Sequence, residues 1–329
     1  MKQVQFEEKY QAQWLEFESL LGDMSRGKSH RQLASEDRYD FPRAYRNICG
    51  HYAIAKQRYY SPVLIDRLHA LVLAGQEHLY RHKTIWLWKL FEFVLTTFPQ
   101  LVRKHSKVFW LATFLFYGPA VAMGIACYKD SEVIYSVMNQ WQVADMEYMY
   151  DPDNKNLGRK EERQADTDIM MFGYYIFNNV SIGFRTFASG ILLGIGTIFI
   201  LFYNGVVIGG VAGYLTQLGF TETFWPFVSG HGSFELTAIV ICGMAGLIIA
   251  RPVYAPGNMT RIAAIKKAAY DSVQLVIGAA LMLFIAAFIE AFWSSASSIS
   301  NPVKFIVAGA LWALVIGYLS FSGRGRREN

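Results

Sequence analysis

The first third of the chain has an amphipathic pattern, and long apolar runs dominate the remainder. In residues 1–82, apolar side chains recur at spacings of three and four, the period that lines one face of a helix. In the first helix these positions are Phe6, Tyr10, Trp14, Phe17 and Leu21. Two more helices are predicted to begin near Pro42 and at Ser61-Pro62, where proline suits a first turn. The pattern predicts a small helical region with its own core.

Residues 84–103 are too apolar for a free surface helix and are rich in Trp and Phe. Arg103, Lys104 and Lys107 follow, so aromatic rings would lie at headgroup depth with cations near anionic lipid. We therefore predict an interfacial elbow helix whose apolar run ends at Pro99. A core helix of the soluble region is the alternative.

Six later segments are long or apolar enough to be membrane spans, because about 20 apolar residues cross a bilayer core of about 30 Å. They are residues 108–127, 183–203, 205–218, 234–250, 272–293 and 302–321. Asn204-Gly205 is predicted to separate the second span from the short third one. The predicted fold class is all-α, a polytopic membrane helical bundle of about six spans with an N-terminal cytosolic helical region.

Charge sets the predicted orientation of these spans. The stretch 129–168 holds five basic residues and twice as many acidic ones, which places it outside by the positive-inside rule. The cations predicted to lie in the cytoplasm are Arg251, Arg261, Lys266, Lys267, Arg324, Arg326 and Arg327. Both termini are therefore predicted to be cytoplasmic. The predicted domains are a cytosolic region with the elbow (1–106), a first span (107–127), an acidic extracytoplasmic loop (128–170) and a glycine-rich transmembrane core (171–329).

Composition supports a membrane protein and argues against several other classes. Hydrophobic residues make up 53% of the chain and charged residues only 17%. The net charge of +5 does not indicate a nucleic-acid partner, because the cations lie at predicted membrane edges. The three cysteines have no spacing typical of a zinc knuckle or a disulfide scaffold. The first nine residues have no apolar core, so no cleaved signal peptide is expected.

His231 and Glu235 stand at the mouth of an otherwise apolar span. Ionisable groups in hydrocarbon cost several kcal/mol unless they are paired or wetted, so they indicate a site by default. Other polar residues predicted in the same leaflet are Asn178, Asn179, Arg185 and Glu290. We predict that His231, Glu235 and Glu290 converge, with Asn178, Asn179 and Arg185 as pairing or second-layer residues.

Three interpretations of this cluster remain open. In the structural one, Gly232 or Ser233 caps the span, Glu235 lies in its first turn, and Arg185 pairs with Glu290. In the second, His231, Glu235 and Glu290 bind zinc or another divalent metal and serve as catalytic residues of a hydrolase. In the third, Glu235 or Glu290 belongs to a proton or polar-substrate path.

Glycines recur at helical spacing in the second and third predicted spans. They are Gly190 and Gly194, followed by Gly205, Gly209 and Gly213. Small residues four apart let helix backbones approach closely, which drives association where the hydrophobic effect is absent. We expect the second set to pack against another helix, within the chain or across a homodimer. No phosphate-loop pattern accompanies these glycines.

Several ordered motifs resemble the stage II sporulation protein M family of integral membrane proteins. They are Asn178-Asn179, the run 190–197, Asn204-Gly205, the run 231–236, the run 243–247, Pro256-Gly257 with Arg261, and the run 289–292. Trp14, Tyr45-Arg46 and Phe98-Pro99 also resemble the longer family members. The resemblance covers essentially the whole chain.

The resemblance implies a multi-pass protein of the bacterial inner membrane, in contact with lipid and with other membrane proteins of the cell envelope. The family's namesake works with peptidoglycan-degrading partners during sporulation as a membrane anchor or assembly platform. We therefore expect a membrane scaffold or assembly platform for envelope remodelling. An intramembrane metal-dependent hydrolase and a proton-coupled transporter are the alternatives, so the sequence leaves open whether the chain is an enzyme.

Overall fold

A computed structural model of the chain describes residues 1–25, 41–153 and 165–325. The chain divides into two compact units, Met1–Phe91 and Glu92–Asn329. The predicted elbow therefore falls in the second unit from Glu92 onward, whereas the sequence suggested a boundary near residue 106. Most basic residues of the predicted acidic loop, together with Arg326 and Arg327, lie outside the described residues.

The first unit is helical, with α1 (Gln3–Ser25), α2 (Phe41–Gln57) and α3 (Pro62–Glu92). Its core contains the apolar face expected for α1, since Phe6, Trp14 and Phe17 are all almost fully buried. Ile48 from α2 and Leu68 from α3 complete the centre of this core.

The second unit contains eight further α-helices in the described residues. They are α4 (Phe98–Lys104), α5 (Ser106–Lys129), α6 (Gln140–Tyr150), α7 (Ala165–Ala188), α8 (Ile195–Gln217), α9 (Thr221–Tyr254), α10 (Arg261–Phe288) and α11 (Asn301–Phe321). Two π-helical turns, Phe93–Thr97 and Ile289–Ser294, adjoin α4 and α10. Short 3₁₀ turns occupy Ser131–Ser136 and Ser189–Ile191.

Five of the described helices are long and apolar enough to cross a membrane: α5, α8, α9, α10 with its π-helical turn, and α11. The sixth long helix of the unit, α7, is more polar. No β-strand occurs in residues 1–25, 41–153 or 165–325. The predicted fold class is confirmed as an all-α, polytopic membrane bundle with an N-terminal helical region.

The turn between the second and third spans lies about ten residues earlier than the sequence suggested. The chain reverses after α7, where Leu193 and Gly194 adopt positive φ angles of 56° and 82°. Asn204 does not break α8, because its side-chain amide donates to the Ile200 carbonyl at 2.8 Å within the helix. The predicted span 183–203 is therefore wrong, and α7 and α8 form the hairpin instead.

The glycines of α8 pack against the backbone of α5. A Cβ atom on Gly205, Gly209 or Gly213 would collide with the carbonyl oxygens of Phe116, Ala120 and Gly124, respectively. The residue numbers rise together on both helices, so α5 and α8 run parallel. The glycine face of α8 is thus covered by α5 of the same chain. Gly190 similarly lies against the backbone of Gly246 in α9, whereas Gly194 forms the left-handed turn.

Helix α9 occupies the centre of the bundle and packs against α5, α7, α8, α10 and α11. Contacts fix the helix directions around it. Ser272 of α10 donates to the Ala245 carbonyl, whereas Ile289, in the π-helical turn that follows α10, lies beside Gly230, so α9 and α10 are antiparallel. Asn301 and Trp312 of α11 donate to the carbonyls of Glu222 and Ser229, so α11 runs parallel to α9.

Helix α4 is docked against the membrane bundle. The Phe98 ring fills the notch above Gly278 of α10, where a Cβ atom would collide with it. Arg103 donates to the Leu319 and Ser322 carbonyls at 2.7 and 2.6 Å, at the C-terminal end of α11. Pro99, where the apolar run was predicted to end, lies in the first turn of α4, and the helix continues to Lys104.

Candidate intramembrane polar site

His231 and Glu235 lie one turn apart in the interior of α9, which is continuous from Thr221 to Tyr254. Their side chains face each other, with His231 Nε2 3.8 Å from Glu235 Oε2. Gly232 and Ser233 therefore do not cap this helix, and Glu235 is not in its first turn. Ser233 instead donates its hydroxyl to the Gly230 carbonyl at 2.8 Å.

The Glu290 side chain also lies close to those of His231 and Glu235, and it comes from the π-helical turn that follows α10. One ligand-type atom from each of His231, Glu235 and Glu290 lies within 4.8 Å of the others. The Oε2 atom of Glu290 is buried without a hydrogen-bond partner. Two carboxylates this close in a buried layer require a shared proton or a bound cation.

Asn179 from α7 forms a further wall of the cluster. Its side chain is 2% exposed and lies beside the Glu290 carboxyl. Its amide Nδ2 has no hydrogen-bond partner, while its Oδ1 accepts from the exposed Asn178 amide at 3.2 Å. Leaving a buried amide without a hydrogen-bond partner destabilises a protein by about 1–3 kcal/mol. The Asn179 amide can therefore donate a hydrogen bond to a bound ligand or to an ionised Glu290.

Arg185 does not join this cluster. It lies in the last turn of α7, is exposed, and forms no ion pair among the described residues. The predicted Arg185–Glu290 pair is therefore wrong, because Arg185 is about 9 Å further along the helix than Asn179, at 1.5 Å per residue. Neither part of the capping-and-pairing interpretation matches the geometry.

Two residues that sequence reasoning missed support His231 from its other side. Ser294 Oγ lies 3.1 Å from His231 Nδ1, so it can fix the ring orientation and leave Nε2 directed at Glu235. Lys304 of α11 donates to the Ser294 carbonyl at 2.8 Å and is 3% exposed. A signal for Lys304 existed, because it is a cation near the outer end of the last predicted span.

Tyr150, the last residue of α6, also belongs to the surroundings of the cluster. Its ring packs on Phe224 and Phe227 with centroid distances of 5.2 and 5.7 Å, and Phe227 lies 5.5 Å from the His231 ring. Burial raises the pKa of Tyr150, and the nearby Glu290, Tyr175 and Glu235 raise it further. The phenol is therefore a proton donor at neutral pH.

The anchor of Tyr150 is a backbone contact between α6 and α9. Thr223, in the first turn of α9, donates its hydroxyl to the Tyr150 carbonyl at 2.5 Å. No sequence signal could have found Tyr150, because it lies in a polar segment outside the apolar runs. The residues that contact it, Thr223, Phe224 and Phe227, are more than 70 residues away in the chain.

The site thus combines one imidazole, two carboxylates and an unpaired amide, drawn from α7, α9 and the turn after α10. Histidine nitrogen and carboxylate oxygen are both ligands for zinc and related divalent metals. The same groups can also accept and release protons. Metal binding and proton transfer are both possible because of the types of these residues and their closeness to one another.

The fold and this polar cluster define a multi-pass, all-helical membrane protein. The family model for stage II sporulation protein M matches residues 112–295, more than half of the chain, so the chain belongs to that family. The match includes Asn179, His231, Glu235 and Glu290. Residues 4–81 match a separate model, a domain of unknown function designated DUF8413. No curated protein and no solved structure matches the chain.

Proposed function

We propose that this protein binds one divalent transition metal ion, such as zinc, at His231, Glu235 and Glu290, and uses it in hydrolysis at the membrane. The observation that carries the proposal is the convergence of these three ligand types within 4.8 Å, with one buried carboxylate oxygen unpartnered. A bound cation would satisfy that oxygen and neutralise both carboxylates.

The three ligand atoms lie within 4.8 Å of one another, so metal binding would draw the side chains closer together. Two ligands bound at about 2.1 Å in a tetrahedral site lie about 3.4 Å apart. His231 Nε2 and Glu235 Oε2 are separated by 3.8 Å. Ser294 beside Nδ1 supports the tautomer in which Nε2 is the metal ligand, as outer partners of metal-bound histidines commonly do.

Three protein ligands leave a fourth position open, which is the arrangement of catalytic rather than structural zinc sites. Zinc there would lower the pKa of a bound water to about 7 and polarise a substrate carbonyl or phosphoryl oxygen. In this chain, His231, Glu235 and Glu290 would hold the metal, and the Asn179 amide would orient Glu290.

Elemental analysis of the purified full-length protein tests the proposal. We expect about one equivalent of transition metal per chain, with loss of the metal in His231→Ala, Glu235→Gln and Glu290→Gln. Glu132→Gln is the matched control, because Glu132 is an exposed carboxylate outside the spans. Metal at 100 times its Kd should stabilise wild type by about 2.7 kcal/mol and leave the ligand variants unchanged. Metal-free wild type that gains no stability would contradict the proposal.

The second candidate is a scaffold or assembly platform for envelope proteins that remodel peptidoglycan. Family membership favours it, because the namesake is a sporulation membrane protein. Glu235→Gln separates the candidates, since it keeps shape and hydrogen bonding but removes the charge. A scaffold with no chemistry should still complement a deletion strain with this variant. If the variant fails and no metal binds, proton-coupled flux in vesicles becomes the next measurement.

The proposed location is the bacterial inner membrane, with both termini in the cytoplasm and α6 outside. The alternating helix directions support it, because they bring Arg103 and the basic start of α10 to the same side of the bundle. Envelope membrane proteins remain the proposed partners. The homodimer also remains a proposal, and the glycine face of α8 no longer supports it.

A further inference from the structure

Tyr150 stands out because a residue outside the spans is built into the wall of an intramembrane cluster. Its ring is 9% exposed although α6 is otherwise mostly exposed. Phe227 contacts both the Tyr150 ring and the His231 ring, so the three rings pack in series. The Thr223 hydroxyl holds the Tyr150 backbone in place.

The surroundings of the Tyr150 hydroxyl include the carboxylates of the site. Glu290, Tyr175 of α7 and Glu235 all act on the phenol electrostatically. A phenol with a normal proton donates one hydrogen bond, and carboxylates or metal-bound oxygens accept it. Tyr150 is therefore a hydrogen-bond donor whose ring packs on Phe227, which in turn contacts the His231 ring.

We propose that Tyr150 closes the His231–Glu235–Glu290 site on the α6 side and that its hydroxyl donates a hydrogen bond to the oxygen ligand bound there. The ligand class is an oxygen donor, such as a carbonyl, hydroxamate or water. The hydrogen-bond part rests on the proposed metal function, whereas the closure rests only on packing. Access to the site is then controlled by α6.

The hydroxyl is tested with Tyr150→Phe, which keeps the ring against Phe224 and Phe227. The probe is acetohydroxamate, a bidentate oxygen ligand, titrated into cobalt-loaded protein and followed by visible absorption. We expect full metal content and about 10-fold weaker hydroxamate binding, the loss of one hydrogen bond to an anionic ligand. Tyr148→Phe is the control, since Tyr148 lies on the same helix and is 54% exposed. Equal affinity in Tyr150→Phe and wild type would overturn the hydrogen bond.

The closure is tested without any metal. Asn179→Cys places a thiol beside Glu290, in a background where Cys49, Cys127 and Cys242 are replaced. In lipid nanodiscs, where water contacts both membrane faces, a charged methanethiosulfonate should react with this thiol at least 10-fold faster in Tyr150→Ala than in Tyr150→Phe. Equal rates would overturn the closure. If wild type binds no metal, the metal proposal and the hydroxyl contact fail together, and these rates still decide the closure.

Discussion

Gly209 lies directly against the carbonyl oxygen of Ala120, so α8 and α5 approach each other at backbone distance. Gly213 and Gly124 make the same contact one turn further along both helices. This face has no room for side chains, and parallel packing of the two helices depends on it. Close packing of small residues is a main source of helix association in membranes.

Gly209→Leu should therefore disrupt the bundle, because the new side chain would push α8 away from α5. We expect a large fall in monodisperse yield and a melting temperature lower by more than about 5 °C, since overpacking costs about 1–3 kcal/mol or more. Gly309→Leu is the control, because nothing lies within 4 Å of a Cβ atom at Gly309 of α11. Equal behaviour of the two variants would show that α8 is not held against α5.

Phe98 and Gly278 should be energetically coupled. Gly278→Ala adds a methyl group where the Phe98 ring now lies, so this variant should lose about 1–3 kcal/mol of stability. Adding Phe98→Leu should restore part of that loss, because the smaller side chain vacates the notch. A double-mutant cycle in detergent unfolding measures the coupling, expected at about 1 kcal/mol or more. Additive effects would contradict docking of α4 at this point.

His51 should make the first unit sensitive to acid. Burial lowers the pKa of His51, and its Nδ1 atom accepts a hydrogen bond from Trp14 Nε1 at 3.2 Å. A base whose pKa is lower in the folded state contributes stability that is present above its unfolded value, about 6.5, and is lost as the pH falls. We therefore expect the stability of this unit to fall as the pH is lowered from 6.5 to 5.

Hydrogen exchange of the α1 amides, corrected for intrinsic rates, measures this loss. Protection in wild type should fall from pH 7 to pH 5, whereas protection in His51→Gln should be similar at both values. His69→Gln serves as control, because His69 is exposed and stacks on Tyr52 at 5.3 Å. Its pH response should match wild type, and a pH-independent wild type would contradict the prediction.

The helix directions predict opposite labelling at Glu132 and Asn258. Glu132 follows α5, and Asn258 lies between α9 and α10, so they should be on opposite membrane faces. In cells, a membrane-impermeant maleimide should label Glu132→Cys directly and Asn258→Cys only after permeabilisation. Labelling of both from the same side would overturn the topology.

Periodicity predicted the fold where neighbouring residues decide the structure. The face of α1 with Phe6 and Trp14 is buried as its spacing indicates, because a helical face is a local property. The turn at Leu193-Gly194 was missed because apolar residues flank it on both sides and hide the reversal. Asn204 was wrongly predicted to break the helix. A polar side chain within a span can donate a hydrogen bond to a backbone carbonyl of the preceding turn, as Asn204 does to Ile200.

The site was predictable as far as membrane depth allowed. Positive-inside reasoning put His231, Glu235 and Glu290 in one leaflet, and the structure brings them together. The depth of a residue in the membrane does not tell which face of its helix the side chain lies on. Arg185, which is exposed, was therefore wrongly included in the predicted site. Ser294 and Tyr150 were missed because their contacts depend on tertiary packing and on a π-helical turn that no periodicity reveals.

That π-helical turn, Ile289–Ser294, makes the polar site depend on chain length as well as on residue type. A π-helical turn holds one more residue than the α-helical turn it replaces. Deleting one residue from the turn would restore regular α-helix and rotate Ser294 by about 100° relative to Glu290. Ser294 could then no longer lie beside His231 while Glu290 lies close to Glu235. Within such a bundle, a one-residue deletion in this turn would separate the residues of the site without changing their identity.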